Sequence, residues 1–225
     1  MASPNQKTLT RWHTDSLPRS TKKALDYLAQ NTWLKKSRWY LAGGTALALQ
    51  AGHRSSVDLD FFTQQKDFAI GKLIRRFPQD IWAADIAREG TIYGRLLEAK
   101  ISFIAYPFFV PAEPFRFYGA VKILDQRDIA VMKIIAISQR GRKRDFVDLY
   151  WYCQHRERLG QIFQRLPEQY PNIAHDYHHI VKSLTYFNDA EPDIMPELYF
   201  PASWKEIKKF FQQETIKIAR EKLLR

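Results

Sequence analysis

The stretch 39–62, WYLAGGTALALQAGHRSSVDLDFF, limits this chain more than any other part of it. A Gly-Gly pair separates a short apolar strand from a small helix, and the next apolar run carries Asp58 and Asp60 two residues apart. Side chains at i and i+2 of a strand leave the same face. Both carboxylates therefore aim at one spot, while Leu59 turns back into the protein. Val57, Leu59, Phe61 and Phe62 make this strand largely interior, where neither carboxylate is cheaply buried without a cation or other partner. Convergent carboxylates are hard oxygen ligands suited to Mg²⁺ or Mn²⁺ carrying nucleotide phosphates, which the backbone N–H groups of Gly43, Gly44 and Thr45 could receive at the helix start. Alone, alternating Asp reads as a solvated edge and Gly-Gly as a tight turn; together they outline a nucleotide site.

Apolar spacing predicts helices over 21–34, 45–50 (stopped by Gly52) and 67–77 (ended by Pro78), with strands over 39–42 and 57–62. Between Ile81 and Tyr106 the period falls to two, which predicts two or three strands turning at Glu89–Gly90 in one mixed sheet with the earlier pair. Pro107, Pro111 and Pro114 then break regular structure. Beyond them 127–139, 145–155, 159–166, 173–187 and 204–224 read as helices, with Pro192, Pro196 and Pro201 in the loop before the last. The expected fold is α/β (α+β): a mixed-sheet domain over 1–124 and a helical domain over 125–225 that completes the cleft.

The second group of interest lies on those helices. Lys133 sits beside the apolar stripe of Ile129, Met132 and Ile135, placed either to reach a phosphate or to snorkel at the surface. Asp145 and Asp148 share a helix face, and Arg140, Arg142, Lys143 and Arg144 crowd the connection before them. That cluster suits a triphosphate tail or an RNA backbone, or a solvated turn. Arg54, four residues before Asp58, is placed to neutralise charge on a leaving pyrophosphate, and neighbouring His53 reads as loop. His175, His178 and His179 lack the companions of a metal site and read as surface or interface.

A formal net charge of +11 over 225 residues favours polyanionic partners such as nucleic acid or an acidic protein. The last helix adds Lys205, Lys208, Lys209, Lys217, Arg220, Lys222 and Arg225 as a ridge facing RNA or solvent. Fifteen Phe, eleven Tyr and six Trp argue against disorder. No run approaches the roughly 20 apolar residues of a membrane span, and the polar start lacks the apolar centre of a signal peptide. Cys153, the single cysteine, excludes an intramolecular disulfide and reads as packing, so a cytoplasmic protein is expected.

The order G-G-T at 43–45, R-x-S at 54–56 and D-L-D at 58–60 resembles the nucleotidyltransferase superfamily. With DQRDIAVMKIIAISQRGRKRDFVDLY at 125–150, the first two-thirds of the chain resembles the AbiEii/AbiGii group of bacterial nucleotidyltransferase-like toxins. In that group an Asp-hydrophobic-Ala-x-x-Lys helix precedes Arg-Asp-x-x-Asp; the matching residues are Asp128, Lys133, Arg144, Asp145 and Asp148. The resemblance implies a Mg²⁺- or Mn²⁺-dependent enzyme that moves a nucleoside monophosphate from an NTP to a hydroxyl, releasing pyrophosphate. It also implies RNA or tRNA as acceptor and a cognate antitoxin as partner. On this reading Asp58 and Asp60 hold the metal, and together with Lys133 and Asp145 they form the catalytic set. Gly43, Gly44, Thr45, Arg54, Ser56 and Lys133 hold the nucleotide.

One departure stands out. The superfamily usually supplies a third acid from a later strand, but 100–106, KISFIAY, carries none, with Ser102 or Lys100 at the expected position. This leaves open a non-catalytic nucleotide- or RNA-binding protein of the same fold, and a transferase acting on a protein or a small-molecule hydroxyl such as an aminoglycoside.

Overall fold

The alternating segments assemble into one seven-stranded mixed sheet in a computed structural model that describes residues 11–222. The strands are β1 (Tyr40–Ala42), β2 (Leu59–Thr63), β3 (Trp82–Arg88), β4 (Thr91–Leu96), β5 (Ala99–Ala105), β6 (Arg116–Tyr118) and β7 (Val121–Ile123). Their spatial order is β3-β4-β5-β2-β1-β7-β6. β2 sits near the centre, antiparallel to β1 and parallel to β5, so that Asp60 lies opposite Ala42 on one side and Ser102 on the other. The helices are α1 (Arg19–Ala29), α2 (Thr32–Lys36), α3 (Gly43–Ala51), α4 (Ile70–Ile74), α5 (Gln126–Arg140), α6 (Lys143–His155), α7 (Leu159–Phe163), α8 (Leu166–Gln169), α9 (Tyr177–Ser183) and α10 (Trp204–Lys222). The expected class, a mixed α/β sheet with helices concentrated toward the C-terminal half, is the one observed.

The period of two along the strands makes the sheet two-sided. Leu59, Phe61, Ile92, Ile101 and Phe103 are buried on one face, where Phe61 stacks on Phe103 at 5.1 Å and Trp82 on Phe77 at 4.8 Å. The other face carries Asp60, Phe62, Ser102, Ile104 and Tyr93 toward a cleft, with Ile129, Met132 and Ala136 of α5 across it.

Several elements differ from the periodic reading. The helix expected over 21–34 is two, α1 and α2, because the Ala29 carbonyl accepts from the Ala120 N–H at 2.7 Å and the Asn31 side chain donates to the Tyr27 carbonyl at 2.7 Å. Partners from outside the helix replace its own ladder at that point. The stretch after Pro114 forms the β6–β7 hairpin, whose three-residue strands are too short to show a period. The helices expected over 67–77 and 173–187 shrink to α4 and α9, and that over 159–166 divides into α7 and α8 near Pro167. The last three residues of the chain, including Leu224 of the expected final helix and Arg225, lie outside the described residues.

Asp128 ties the proline-rich crossing to the helices. Its buried carboxylate accepts from the Ala112 and Glu113 N–H groups at 3.0 Å each and from the Gln169 side chain at 2.5 Å. One α5 residue thus fixes both the 112–113 loop and α8. Asp128→Ala strands those donors and should lower the unfolding free energy by about 1–3 kcal/mol. Urea denaturation at pH 7 measures this, and a midpoint equal to that of the parent would show that the clamp is dispensable.

Candidate active site

The Gly-Gly turn works because nothing larger fits. Gly43 has φ +71°, and a Cβ there would lie 3.2 Å from the Asp60 carboxylate. A Cβ on Gly44 would lie 2.3 Å from the Arg54 guanidinium. The first turn of α3 therefore rests directly against both groups. The leading N–H groups of a helix lack intrahelical partners and form its positive end. Gly43, Gly44 and Thr45 line the cleft at that end. The Thr45 hydroxyl donates to the Asp58 carbonyl at 2.5 Å and pairs with the Ser56 hydroxyl at 2.9 Å. Thr45 and Ser56 thus bind the segment carrying Asp58 to the start of α3.

Asp58 stands one residue ahead of β2 and Asp60 within it, and both line the cleft. Asp58 receives Arg144 Nη1 at 3.1 Å from the first turn of α6. Asp60 accepts from Ser102 Oγ at 2.7 Å. Burial pushes the Asp60 carboxyl up, and Asp58 adds to this, while Ser102, Arg144 and Arg140 pull it back. The position expected to hold a third acid holds Ser102, and no group of three His, Cys, Asp or Glu side chains able to bind a metal occurs among the described residues. Two carboxylates remain. That donor set fits Mg²⁺, which keeps several waters and takes one or two carboxylates together with substrate phosphates.

Behind the cleft lies a buried charge network centred on Asp148. Its Oδ1 accepts from His53 Nε2 at 2.8 Å and Arg54 Nε at 2.6 Å, and its Oδ2 from Arg54 Nη2 at 2.9 Å. Lys133 Nζ lies 2.6 Å from that same Oδ2 and 2.7 Å from Asp145 Oδ1. Arg140 grips Asp145 through Nε at 3.0 Å and Nη2 at 3.2 Å. Burial alone would raise both carboxyls, but Arg54 and Lys133 hold Asp148 well below the ordinary carboxylate range. Lys133 and Arg140 likewise hold Asp145 down. Burial pushes the His53 imidazole down against the pull of Asp148, so the ring is neutral at pH 7.

The proline-rich segment before α10 is a strap on this network. The Ser55 N–H donates to the Glu197 carbonyl and the Tyr199 N–H to the His53 carbonyl, each at 2.9 Å, and Arg54 bridges to Leu198. The strap is anchored in turn by Lys143, whose Nζ donates to the Glu191 and Asp193 carbonyls at 3.1 and 2.5 Å.

Together these elements enclose a cleft of about 480 Å³. Of the residues singled out in the sequence, Gly43, Gly44, Thr45, Arg54, Ser56, Asp58, Asp60 and Lys133 line it. Asp145 does not; it sits fully buried behind Lys133. The basic connection divides: Arg140 and Arg144 face the cleft with side chains 52% and 46% exposed, whereas Arg142 pairs with Asp193 at 2.7 Å and Lys143 is buried under the strap. Arg54 lines the cleft with its guanidinium committed to Asp148 and the Ser55 carbonyl. His53, read as loop, is a buried partner of Asp148 whose only sequence signal was its place beside Arg54. His175 and His179 bond to the Tyr170 and Ser138 carbonyls. Cys153 is partly buried, which pushes its thiol up.

The family model described as nucleotidyl transferase AbiEii toxin, type IV toxin-antitoxin system, matches residues 27–224. An uncharacterized protein of Aquifex aeolicus strain VF5 is 35% identical over 182 residues, covering 78% of this chain and 85% of that protein. The fold is similar to that of MenT4, a nucleotidyltransferase toxin from Mycobacterium tuberculosis H37Rv, with TM-score 0.52 and 14% identity over 96% of this chain and 90% of that one.

Removing Asp148 leaves Arg54 and Lys133 buried without their shared counter-charge, so Asp148→Ala should cost about 3–5 kcal/mol of stability. The pH dependence has a definite sign. Asp145 and Asp148 are both held below the ordinary value, so their contribution is complete above about pH 4 and is lost as pH falls further. Urea midpoints from pH 7 to pH 3 should fall on the acid side in the parent and fall less steeply in Asp148→Asn. Parallel curves would show that this carboxylate is not the acid-labile element.

Proposed function

This chain belongs to the AbiEii nucleotidyl transferase toxin family, and on that premise we propose that its cleft transfers a nucleoside monophosphate from an NTP to a hydroxyl of RNA, tRNA included. The observation that carries the reading is the approach of the α3 N-terminus to the carboxylate pair, with Gly43 against Asp60. Phosphates and their cation need that juxtaposition of N–H donors and hard oxygens.

Asp58 and Asp60 would hold Mg²⁺ or Mn²⁺, which when bound supplies charge neutralisation between the acceptor hydroxyl and the α-phosphate. Ser102 fixes the Asp60 carboxylate through its 2.7 Å hydrogen bond. The N–H groups of Gly43, Gly44 and Thr45 receive the phosphates, with Ser56 keeping Thr45 in place. As the oxygen–phosphorus bond forms and the bond to pyrophosphate breaks, Arg140 and Arg144, half-exposed on the cleft and held by Asp145 and Asp58, face the developing charge. Arg54 and Lys133 act from fixed positions through their field, with Asp145 setting the position of Lys133. The α/β part over 1–124 and the helical part over 125–225 supply the two walls.

The formal charge of +11 favours a long anionic acceptor and, for a toxin, an acidic antitoxin. No described helix is long and apolar enough to cross a membrane, which is compatible with action on cytoplasmic RNA.

Asp58→Asn should abolish nucleotide transfer while leaving the thermal midpoint near that of the parent. The assay is incubation with total cellular RNA and each α-labelled NTP in turn, with Mg²⁺. Transfer at the parent's rate by the variant would overturn the assignment. Label in a protein or small molecule, with none in any RNA, would overturn the acceptor and spare the transferase.

A further inference from the structure

The cleft continues past the carboxylates across an open part of the sheet. Strand register places Asp60 opposite Ser102, Ser102 opposite Tyr93, and Tyr93 opposite Ile86. These four residues form one row across β2, β5, β4 and β3. A second row, one step along the strands, pairs Lys100 with Arg95, and a third pairs Ile104 with Thr91 and Thr91 with Arg88. The irregularity in β3 between Ala84 and Ile86 brings Ile86 onto this face beside Tyr93. Tyr93 is 39% and Ile86 54% exposed, and Asp85, Tyr93 and Lys100 line the cleft. Over β2 and β5, by contrast, Phe62, Ile104 and Tyr106 face Ile129 and Met132 of α5 across the cleft.

The cleft thus has one arm walled by α5 and one arm open, and they meet at Asp60 and Ser102. Resting on the transferase reading above, we propose that the open arm holds the unpaired 3′ end of the RNA acceptor, with its terminal base stacked on Tyr93 and Ile86. Two strand spacings, about 9–10 Å, separate Tyr93 from Asp60. The ribose hydroxyl of a base on Tyr93 is therefore within reach of the carboxylates. Lys100, Arg95 and Arg88 flank the ring in the neighbouring rows, where the sugar-phosphate backbone would run. Arg95 carries Asp85 as its present partner at 3.2 Å, so an arriving phosphate competes for an existing ion pair. A flat ring beside cations suits a single strand because every base has a face to stack, whereas a duplex end keeps its bases against one another.

The test separates this inference from the transferase reading by measuring binding without NTP. A 5′-labelled single-stranded 12-mer RNA is titrated with the parent, Tyr93→Ala and Tyr93→Phe, followed by fluorescence anisotropy. Tyr93→Ala should weaken binding about 10- to 100-fold, Tyr93→Phe should match the parent, and a blunt RNA hairpin should bind the parent more weakly than the 12-mer. In turnover, Tyr93→Ala should raise KM for RNA and leave KM for NTP unchanged. A 12-mer ending in 4-thiouridine should cross-link within the tryptic peptide 89–95. Unchanged affinity of Tyr93→Ala, equal binding of the hairpin, or cross-links confined to other peptides would each overturn the platform. None of those outcomes bears on whether Asp58→Asn still transfers nucleotide, so the two readings fail separately.

Discussion

Asp148 is the point on which the cleft depends. A fully buried carboxylate is costly unless its oxygens are met by charge and hydrogen bonds. Here both oxygens are met by groups from two other parts of the chain, His53 and Arg54 from the loop before β2 and Lys133 from α5, while Asp148 itself is carried by α6. The carboxylate therefore fixes where α5 and α6 stand relative to the sheet. It does so with attraction between opposite charges in a poorly polarisable setting, where misplacement is expensive. Such a network contributes little net stability over an apolar replacement, but it tolerates few alternative arrangements.

That network sorts the cleft cations by exposure. Arg54 and Lys133 are buried and shared between carboxylates, so their positive field is set before any ligand arrives. Arg140 and Arg144 keep half-exposed side chains on the same helices, anchored by Asp145 and Asp58 respectively. Fixed charges lower the reorganisation needed as charge shifts between phosphates, and the half-exposed pair adds cations within reach of an entering ligand. The contact between Arg144 and Asp58 also places a cation beside the carboxylate pair, which offsets the repulsion that two acids at one spot create. Ser102 in place of a third acid lessens that repulsion further while still orienting Asp60.

What the sequence made legible followed from local spacing. Asp58 and Asp60 converge because strand side chains alternate, and α3 begins at the Gly-Gly pair because a left-handed residue and a missing Cβ are both needed there. Lys133 and Asp145 could be singled out from motif order, and they meet at 2.7 Å. What was not legible depends on partners distant in sequence. His53 and Asp148 lie 95 residues apart, and nothing near either one announces the other. The strap reads as a loop because the hydrogen bonds of its 197–199 stretch go to residues 53–55, far away in sequence. The break between α1 and α2 has the same origin, since the deciding donor is the Ala120 N–H.

On the proposed reading, one sheet would serve two substrates of different shape. Its buried face is packed with Phe61, Phe103 and Trp82. The cleft face is then free to be covered in one region and bare in another. Bare strands at a sheet edge invite pairing with other chains, and β3 counters this with a bulge and with Asp85 and Arg88 along an otherwise exposed strand. The same features that discourage edge association leave a flat, polar-rimmed surface beside Asp60. A small nucleotide needs enclosure to exclude water from its reacting phosphate. A chain end that must enter and leave needs the opposite. Covering only part of the cleft face with α5 would meet both demands of the proposed reaction, and the carboxylates stand where the covered and bare regions meet.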